Sequence, residues 1–172
     1  MRKLLILALT GAACTPIFAQ SSGWSHGQID DKTARWAAVS NDSNGRLTQR
    51  CEIDREECYW SFATTTQCKK GADFPVLVNS DVGSFGLSVS CGSPVMVDGS
   101  TYYQYFFDFD AVDKLIRGSD RIGIAVALES DNFRIIRFDL TNAVKVIDRM
   151  RALALEEIKK RPKKKSTRDQ VL

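Results

Sequence analysis

Histidine is almost absent from this chain of 172 residues, in which His26 is the single example. The surrounding residues 20 to 33 are polar and contain glycine, so they predict a loosely ordered segment. Such a segment does not hold a catalytic base rigidly, and we expect no catalytic role for His26. The sequence also lacks the motifs of a nucleophile elbow, a glycine-rich phosphate loop and a zinc-protease helix.

Long apolar runs are missing as well, because nothing after the N-terminal segment stays apolar for the roughly 18 residues that a membrane helix needs. The N-terminus has instead the three zones of a secretory signal peptide: basic Arg2 and Lys3, an apolar run from Leu4 to Ala13, and a small-residue end at Ala19. We predict a signal peptide over residues 1–19, no transmembrane segment in the mature chain, and a periplasmic or secreted location.

Cysteine is scarce but informative. Cys14 lies within the predicted signal peptide, and the mature chain keeps Cys51, Cys58, Cys68 and Cys91. In an exported chain an even number of cysteines predicts structural disulfides, here two, with three pairings open. The spacings of 7, 10 and 23 residues lack the close cysteine pairs of a zinc site. We therefore predict neither a metal site nor a cofactor.

The net charge of +3 hides a strong asymmetry along the chain. Residues 20 to 158 carry 15 Lys and Arg against 20 Asp and Glu, whereas residues 159 to 172 carry seven basic residues and only Asp169 as an acid. This predicts a single acidic domain over 20–158 and a basic disordered tail over 159–172. The predicted contacts to an anionic surface are Lys159, Lys160, Arg161, Lys163, Lys164 and Lys165. Export removes the interpretation of the tail as a nuclear signal, so the tail is either a solvated, disordered end or a contact for anionic lipid headgroups, and nucleic acid is not an expected partner.

Removal of residues 159–172 is expected to abolish retention of the protein on vesicles that contain anionic lipid at low salt. The tail would bind by releasing counterions from the surface, so its contribution falls as salt rises. Co-sedimentation of the full and truncated chains with vesicles measures the effect. Unchanged retention of the truncated chain would show that the tail is only solvated.

From Arg35 onward, short runs rich in β-branched and aromatic residues alternate with turn residues, which is typical of an antiparallel sheet. The predicted strands are Trp36–Ser40, Leu47–Ile53, Cys58–Thr66, Phe74–Asn79, Phe85–Cys91, Val95–Val97, Thr101–Phe109, Arg121–Leu128 and Phe133–Phe138. Asp98 and Gly99 both accept positive φ and predict a tight hairpin. The run 121–128 is apolar on both faces, so we expect a helix against its small face of Gly123, Ala125 and Ala127.

In two segments the apolar residues have the spacing of a helix instead of that of a strand. Val112, Leu115 and Ile116 predict a short helix over 110–117, with Asp110 as its N-cap and Gly118 in the left-handed position after its end. A long C-terminal helix over 141–160 is predicted by the apolar stripe of Ala143, Val146, Ile147, Met150, Leu153, Ala154 and Ile158. The predicted fold class is α+β, with a sheet or sandwich of about 7–9 short strands.

The segment from Leu115 to Met150 resembles the C-terminal part of the invasion-associated locus B family of small exported bacterial proteins. The resemblance rests on Leu115–Gly118, the alternating hairpin that follows, and Phe138–Ala143 running into a helix. It implies a β-rich periplasmic or secreted protein associated with envelope or host interaction. It supplies no catalytic residue.

Aromatic residues concentrate between Tyr102 and Phe109. Such a row either packs in the core or offers a platform for a sugar or a peptide, because each ring has an apolar face and tyrosine adds a polar group. Tyr102, Tyr103 and Tyr105, nearest the predicted hairpin turn, are the candidate binding surface.

Carboxylates also occur in groups, at Glu56 with Glu57 and at Asp108 with Asp110 and Asp113. A glycosidase needs two carboxylates facing each other across a cleft, which proximity in sequence does not supply. Asp110 and Asp113 are better explained as a helix cap and a first-turn acid.

Export, disulfides and the absence of a nucleophile–base pair favour a non-enzymatic binding or interaction module of the bacterial envelope, for example an inhibitor or immunity partner. Its partner would be a protein or an envelope polymer. The alternatives are a secreted adhesion or invasion factor and a hydrolase of envelope material that works through carboxylates.

Overall fold

The computed structural model describes residues 23–29, 32–128 and 132–161. The predicted signal peptide, and with it Lys163, Lys164 and Lys165 of the basic tail, lies outside these residues. The described chain forms ten antiparallel strands and two helices, so the predicted α+β class is confirmed. The elements are β1 (Ser25–Gln28), β2 (Ala34–Ser40), β3 (Arg46–Glu52), β4 (Glu57–Thr64), β5 (Asp73–Ser80), β6 (Gly83–Cys91), β7 (Val95–Val97), β8 (Ser100–Phe107), α1 (Phe109–Arg117), β9 (Arg121–Ala127), β10 (Phe133–Asp139) and α2 (Ala143–Lys160).

The strands form one sheet in the order β1-β2-β3-β4-β8-β6-β5-β9-β10, and β7 pairs with β8 outside this path. The sheet curls until its first and last strands approach each other. The indole Nε1 of Trp24 donates to the carbonyl oxygen of Asp139 at 3.0 Å, and Nδ2 of Asn41 donates to that of Arg137 at 2.9 Å. These two side chains satisfy carbonyl groups on the edge of β10, which is thereby less available for pairing with another chain.

The inner face of the curled sheet packs with the helices into one core. Along β3 the buried residues alternate with partly exposed ones, so Leu47, Gln49 and Cys51 face inward. From the neighbouring strands, the ring of Phe62 stacks on that of Tyr105 with centroids 4.5 Å apart. Within the described residues, neither helix combines the length and apolarity needed to cross a membrane.

The first helix has the predicted buried residues but different caps. The carboxylate of Asp108, not of Asp110, accepts the backbone N–H of Ala111 at 3.2 Å. The strand β8 ends at Phe107 and the helix begins at Phe109, so Asp108 is the capping residue between them. Asp110 therefore falls in the first turn of the helix. Gly118 has φ −101° rather than the predicted left-handed conformation, and its N–H donates to the carbonyl of Leu115.

The second helix begins at Ala143, two residues after the predicted start at 141. The carboxylate of Asp139 accepts the backbone N–H of Thr141 at 2.7 Å, and Asn142 then takes φ 64°, so the helix cannot start earlier. The apolar stripe is confirmed, since its members Ala143, Ile147, Met150 and Ala154 are buried. The helix packs chiefly on β2, with further contacts to β1, β3 and α1.

The loosely ordered entry predicted over residues 20 to 33 is wrong for Ser25–Gln28, which form β1. These residues have little intrinsic preference for a strand, and their order comes from pairing with β2. Gly27 is required there, because a Cβ at this position would lie 2.6 Å from the ring of Trp36.

The helix expected against the small face of β9 is absent from the described structure. Ala125 is buried, and a Cβ at Gly123 would meet atoms of Asn79, Ile135 and Arg137 on the adjacent strands. No helix packs on this face of β9 in the described structure because α2 packs on β1, β2 and β3, which lie at the opposite end of the strand order.

Candidate functional site

A cleft of about 830 Å³ lies on the outer face of β2, β3 and β4, opposite the core. Its floor consists of small side chains that point outward from these strands: Ala38, Ser40, Thr48, Ser61 and Ala63. The sheet register places Thr48 between Ala38 and Ser61, so these three form one row across the strands. Small side chains in the middle of the face leave the depression, in which Ser40 and Thr48 are accessible to solvent, whereas Ser61 is only 7% exposed.

Arg46 and Trp36 form a pair on the cleft wall. The guanidinium carbon of Arg46 lies 5.0 Å from the centroid of the Trp36 ring, which is a cation–π contact. Among the described residues, no carboxylate forms a salt bridge with Arg46. Partial desolvation lowers the pKa of Arg46, although the residue is still exposed to solvent. An arginine nevertheless stays protonated, so the cleft contains an unneutralised cation.

The charge of a second arginine, Arg50, is neutralised locally. Its Nε lies 2.7 Å from a carboxylate oxygen of Glu52, and the same oxygen accepts the hydroxyl of Tyr59 at 3.4 Å. Burial, ahead of the nearby charges, raises the pKa of Tyr59. The ring of Tyr59 also meets Phe106 edge-on at 5.5 Å, so this part of the wall is held in place.

The hairpin of β7 and β8 supplies the apolar wall. Asp98 and Gly99 have φ 48° and 75°, so the predicted hairpin turn is confirmed. Val95 pairs with Tyr102, and both residues line the cleft. Met96 at the hairpin end is 76 % exposed.

The three tyrosines of the predicted binding surface occupy different environments. Tyr102 lines the cleft, whereas Tyr103 is half-buried against the core. Tyr105 is fully buried, its hydroxyl donates to the carbonyl of Thr66 at 2.8 Å, and burial raises its pKa to about 12. The alternation of β8 therefore makes Tyr105 a core residue and excludes it from an exposed surface.

Most of the cleft was not predicted from the sequence. The residues of the cleft that were not among the predicted site residues include Trp36, Arg46, Thr48, Ser61 and Gln104. One signal was present, because alternation along the predicted strand at 47–53 puts Thr48 and Arg50 on the face opposite Leu47 and Cys51.

A second polar cluster lies between the inner face of the sheet and the two helices. The carboxylate of Asp113 accepts hydrogen bonds from Trp60 Nε1 at 3.1 Å, Gln49 Nε2 at 3.3 Å and Arg117 Nε at 2.9 Å, and also from Arg151. The Oε1 atom of Gln49 accepts Arg151 Nε at 2.7 Å. Burial raises the pKa of Asp113, but the hydrogen bonds from the two arginines outweigh it and hold this pKa below the ordinary value. The groups satisfy one another, so the cluster stabilises the fold.

The carboxylates considered for hydrolysis are not brought together. Glu56 and Glu57 are exposed in and beside the turn between β3 and β4, Asp108 caps α1, and Asp110 is exposed in its first turn. His26 is exposed on β1 opposite Ala37.

Other carboxylates of the described chain have pKa values below the ordinary range. Those of Asp81, Asp139 and Glu157 are lowered chiefly by hydrogen bonds that they accept from the Asp120 backbone, Thr141 and Arg35, respectively. A general acid needs a raised pKa. Within the described residues, no group of three His, Cys, Asp or Glu side chains is placed to hold a metal ion.

The four cysteines form the two predicted disulfides and resolve the open pairing. Cys51 joins Cys58, its partner in the β3–β4 register, and Cys68 joins Cys91. The second bond ties the connection after β4 to the end of β6.

The basic residues at the end of α2 differ in their availability. Lys159 and Lys160 are exposed in the last turn. Arg161 donates to the carbonyl of Lys32 at 3.0 Å and forms a salt bridge with Asp54, so its charge is engaged within the chain.

No family model matches the chain, and no curated protein sequence matches it. Among solved structures, its fold is similar to that of invasion associated protein B from Bartonella henselae, with a TM-score of 0.53. The two chains are 15% identical, and the similarity covers 76% of this chain and 92% of that one. At this identity the similarity shows the fold alone. It supports the fold implied by the resemblance of residues 115–150, while membership of that family stays a prediction.

Proposed function

We propose that the protein is an exported bacterial binding module without enzymatic activity, and that its cleft on β2, β3 and β4 binds a protein or an envelope polymer. The observation that carries the proposal is the cleft itself, with a floor of small residues, three of which bear hydroxyl groups, and a wall of aromatic and cationic residues. Ligand sites combine such apolar lining with a few placed polar groups, and they span roughly 300–1,000 Å³.

Two further observations support export and binding. The disulfides Cys51–Cys58 and Cys68–Cys91 suit an oxidising compartment, where such bonds persist. The carboxylates that line the cleft among the described residues, Asp42 and Asp98, belong to turns rather than to rigid strands. A hydrolytic pair would need rigid support, so binding is favoured over the carboxylate-dependent hydrolase.

The second candidate function is a secreted adhesion or invasion factor. The observation that favours it is the similar fold of a protein whose name associates it with invasion. This candidate predicts that a strain lacking the gene associates less with host cells. If a variant with a blocked cleft restored host-cell association to that strain, the invasion role would not depend on binding in the cleft.

Thr48→Trp is expected to weaken binding of the purified protein to the envelope fraction of its own bacterium by at least about tenfold, or 1.4 kcal/mol. Thr48 lies at the centre of the floor, so an indole there would fill the volume that a ligand needs. Tryptophan is well tolerated in strands, so the sheet should remain intact. Quantitative co-sedimentation over a range of protein concentrations gives the affinity.

The matched control is Ser88→Trp, which places the same ring on an exposed position of β6 outside the cleft. It should bind as the unmodified protein does, and both variants should show unaltered thermal unfolding. A folded Thr48→Trp variant with full affinity would overturn the proposal that the cleft is the binding site.

A further inference from the structure

The backbone of the cleft floor is already paired on both sides. The strand β2 pairs with β1 and β3, and β4 pairs with β3 and β8. A peptide that binds by adding a strand needs a free sheet edge, which the floor strands β2, β3 and β4 do not provide. A ligand on this floor must therefore be held by side chains.

The side chains of the floor offer hydrogen-bonding groups that the fold does not use. Hydroxyls of Ser40, Thr48 and Ser61 and the amide of Gln104 line the cleft, and these groups have no hydrogen-bond partner in the part of the chain that the structure describes. Hydroxyls and amides both donate and accept, as the hydroxyl groups of a sugar do. Four such groups around one depression match a ligand with many hydroxyls.

The wall adds an apolar contact. Tyr102 is half-buried beside its strand partner Val95 and has a ring at the cleft. A tyrosine ring offers an apolar face to the C–H groups of a sugar and a hydroxyl to its polar edge. The ring of Trp36, by contrast, is packed on Gly27 and under Arg46, so it serves to position that arginine.

Arg46 sets the charge that the ligand should have. Its guanidinium lacks a carboxylate partner in the described chain, whereas that of Arg50 is paired with Glu52. A guanidinium presents a planar set of donors that fits a carboxylate with two hydrogen bonds. Asp42 and Asp98 line the cleft from exposed turns, where solvent and salt screen their charges.

We infer that the cleft binds a saccharide chain bearing carboxylates, a conclusion that rests on the proposed binding function. Arg46 holds a carboxylate, the floor hydroxyls and Gln104 bind the sugar hydroxyls, and Tyr102 packs on a ring face. The polymer is thus of the uronic-acid type.

The test uses an α-1,4-linked tetramer of galacturonic acid as the probe, titrated into the full-length protein at moderate salt by calorimetry. We expect saturable binding that Arg46→Gln weakens by at least about tenfold, because a neutral amide cannot pair with the carboxylate. Arg149→Gln, which removes one charge from the exposed side of α2, should leave the affinity unchanged. The methyl-esterified tetramer should bind weakly and should not respond to Arg46→Gln.

The alternatives give different results. Equal binding of hexaglutamate would assign the cleft to acidic peptides and overturn the sugar inference. Failure of the tetramer to bind, with envelope binding still lost in Thr48→Trp, would overturn the ligand class but leave the proposed function intact. Envelope binding that survives Thr48→Trp would instead reject the proposed function. Thermal unfolding of each variant shows that it is folded.

Discussion

Replacement of Asp113 by alanine is expected to lower the free energy of unfolding by about 3–5 kcal/mol. The side chain of Asp113 is only 16 % exposed and accepts hydrogen bonds from Trp60, Gln49, Arg117 and Arg151. Alanine would leave the guanidinium of Arg151 without its anion and the indole N–H of Trp60 without an acceptor. Urea unfolding followed by tryptophan fluorescence measures the loss.

The matched control is Asp148→Ala, which removes another carboxylate that contacts Arg117. Asp148 lies 2.8 Å from this arginine, but its side chain is 54 % exposed, and exposed salt bridges contribute little. We expect a loss below about 1 kcal/mol. Similar losses in the two variants would contradict the view that the buried position makes Asp113 important.

The same interaction predicts how stability depends on pH. The pKa of Asp113 in the folded protein lies below the ordinary value of 3.8, so folding favours the ionised form. Its contribution is complete above the pKa of the unfolded chain and is lost as the pH falls through that value toward the folded one. The stability difference between the unmodified protein and Asp113→Ala should therefore be constant above about pH 5 and shrink in acid. A difference that grew in acid would reject this sign.

Local sequence patterns were sufficient for both helices and for the strands β2 to β10, because the spacing of apolar residues in these segments matches a helix or a strand. The alternation of Leu47–Ile53 and the stripe beginning at Ala143 specify a buried face without reference to any partner. The strand β1 has no such pattern. It forms because its backbone pairs with β2 and because Gly27 packs on the ring of Trp36. The predicted helix starts differ from the observed ones by one residue for α1 and by two for α2, because the chain enters the helices through Asp108 and Asn142, whose backbone conformations are not helical.

The cleft was less accessible to sequence reasoning, since it depends on which strands are neighbours. Thr48 meets Ser61 only through the β3–β4 register, and Gln104 joins them because β4 pairs with β8 rather than with β5. The segment 36–39 is apolar on both faces, so alternation does not tell which way Trp36 points. The aromatic run contains Tyr102, which lines the cleft, but the alternation along the same strand buries Tyr105.

Replacement of Cys68 and Cys91 by alanine is expected to cost about 3 kcal/mol of folding free energy. The disulfide closes a loop with a sequence separation of 23 residues, and opening it returns that loop entropy to the unfolded chain. The bond also lies two residues from Thr66, whose carbonyl accepts the buried hydroxyl of Tyr105. Urea unfolding without reductant measures the loss.

The internal comparison is the pair Cys51 and Cys58, whose separation is only 7 residues. The same entropy argument predicts a loss of about 2 kcal/mol for their replacement by alanine, less than for the longer loop. A greater loss at the shorter loop would show that packing of the buried sulfur atoms outweighs chain entropy. If both values hold, reduction removes about 5 kcal/mol from a domain whose net stability is typically about 5–15 kcal/mol. At the lower end of that range the sheet, and with it the cleft that β2, β3 and β4 form, would stay folded only while the disulfides are intact.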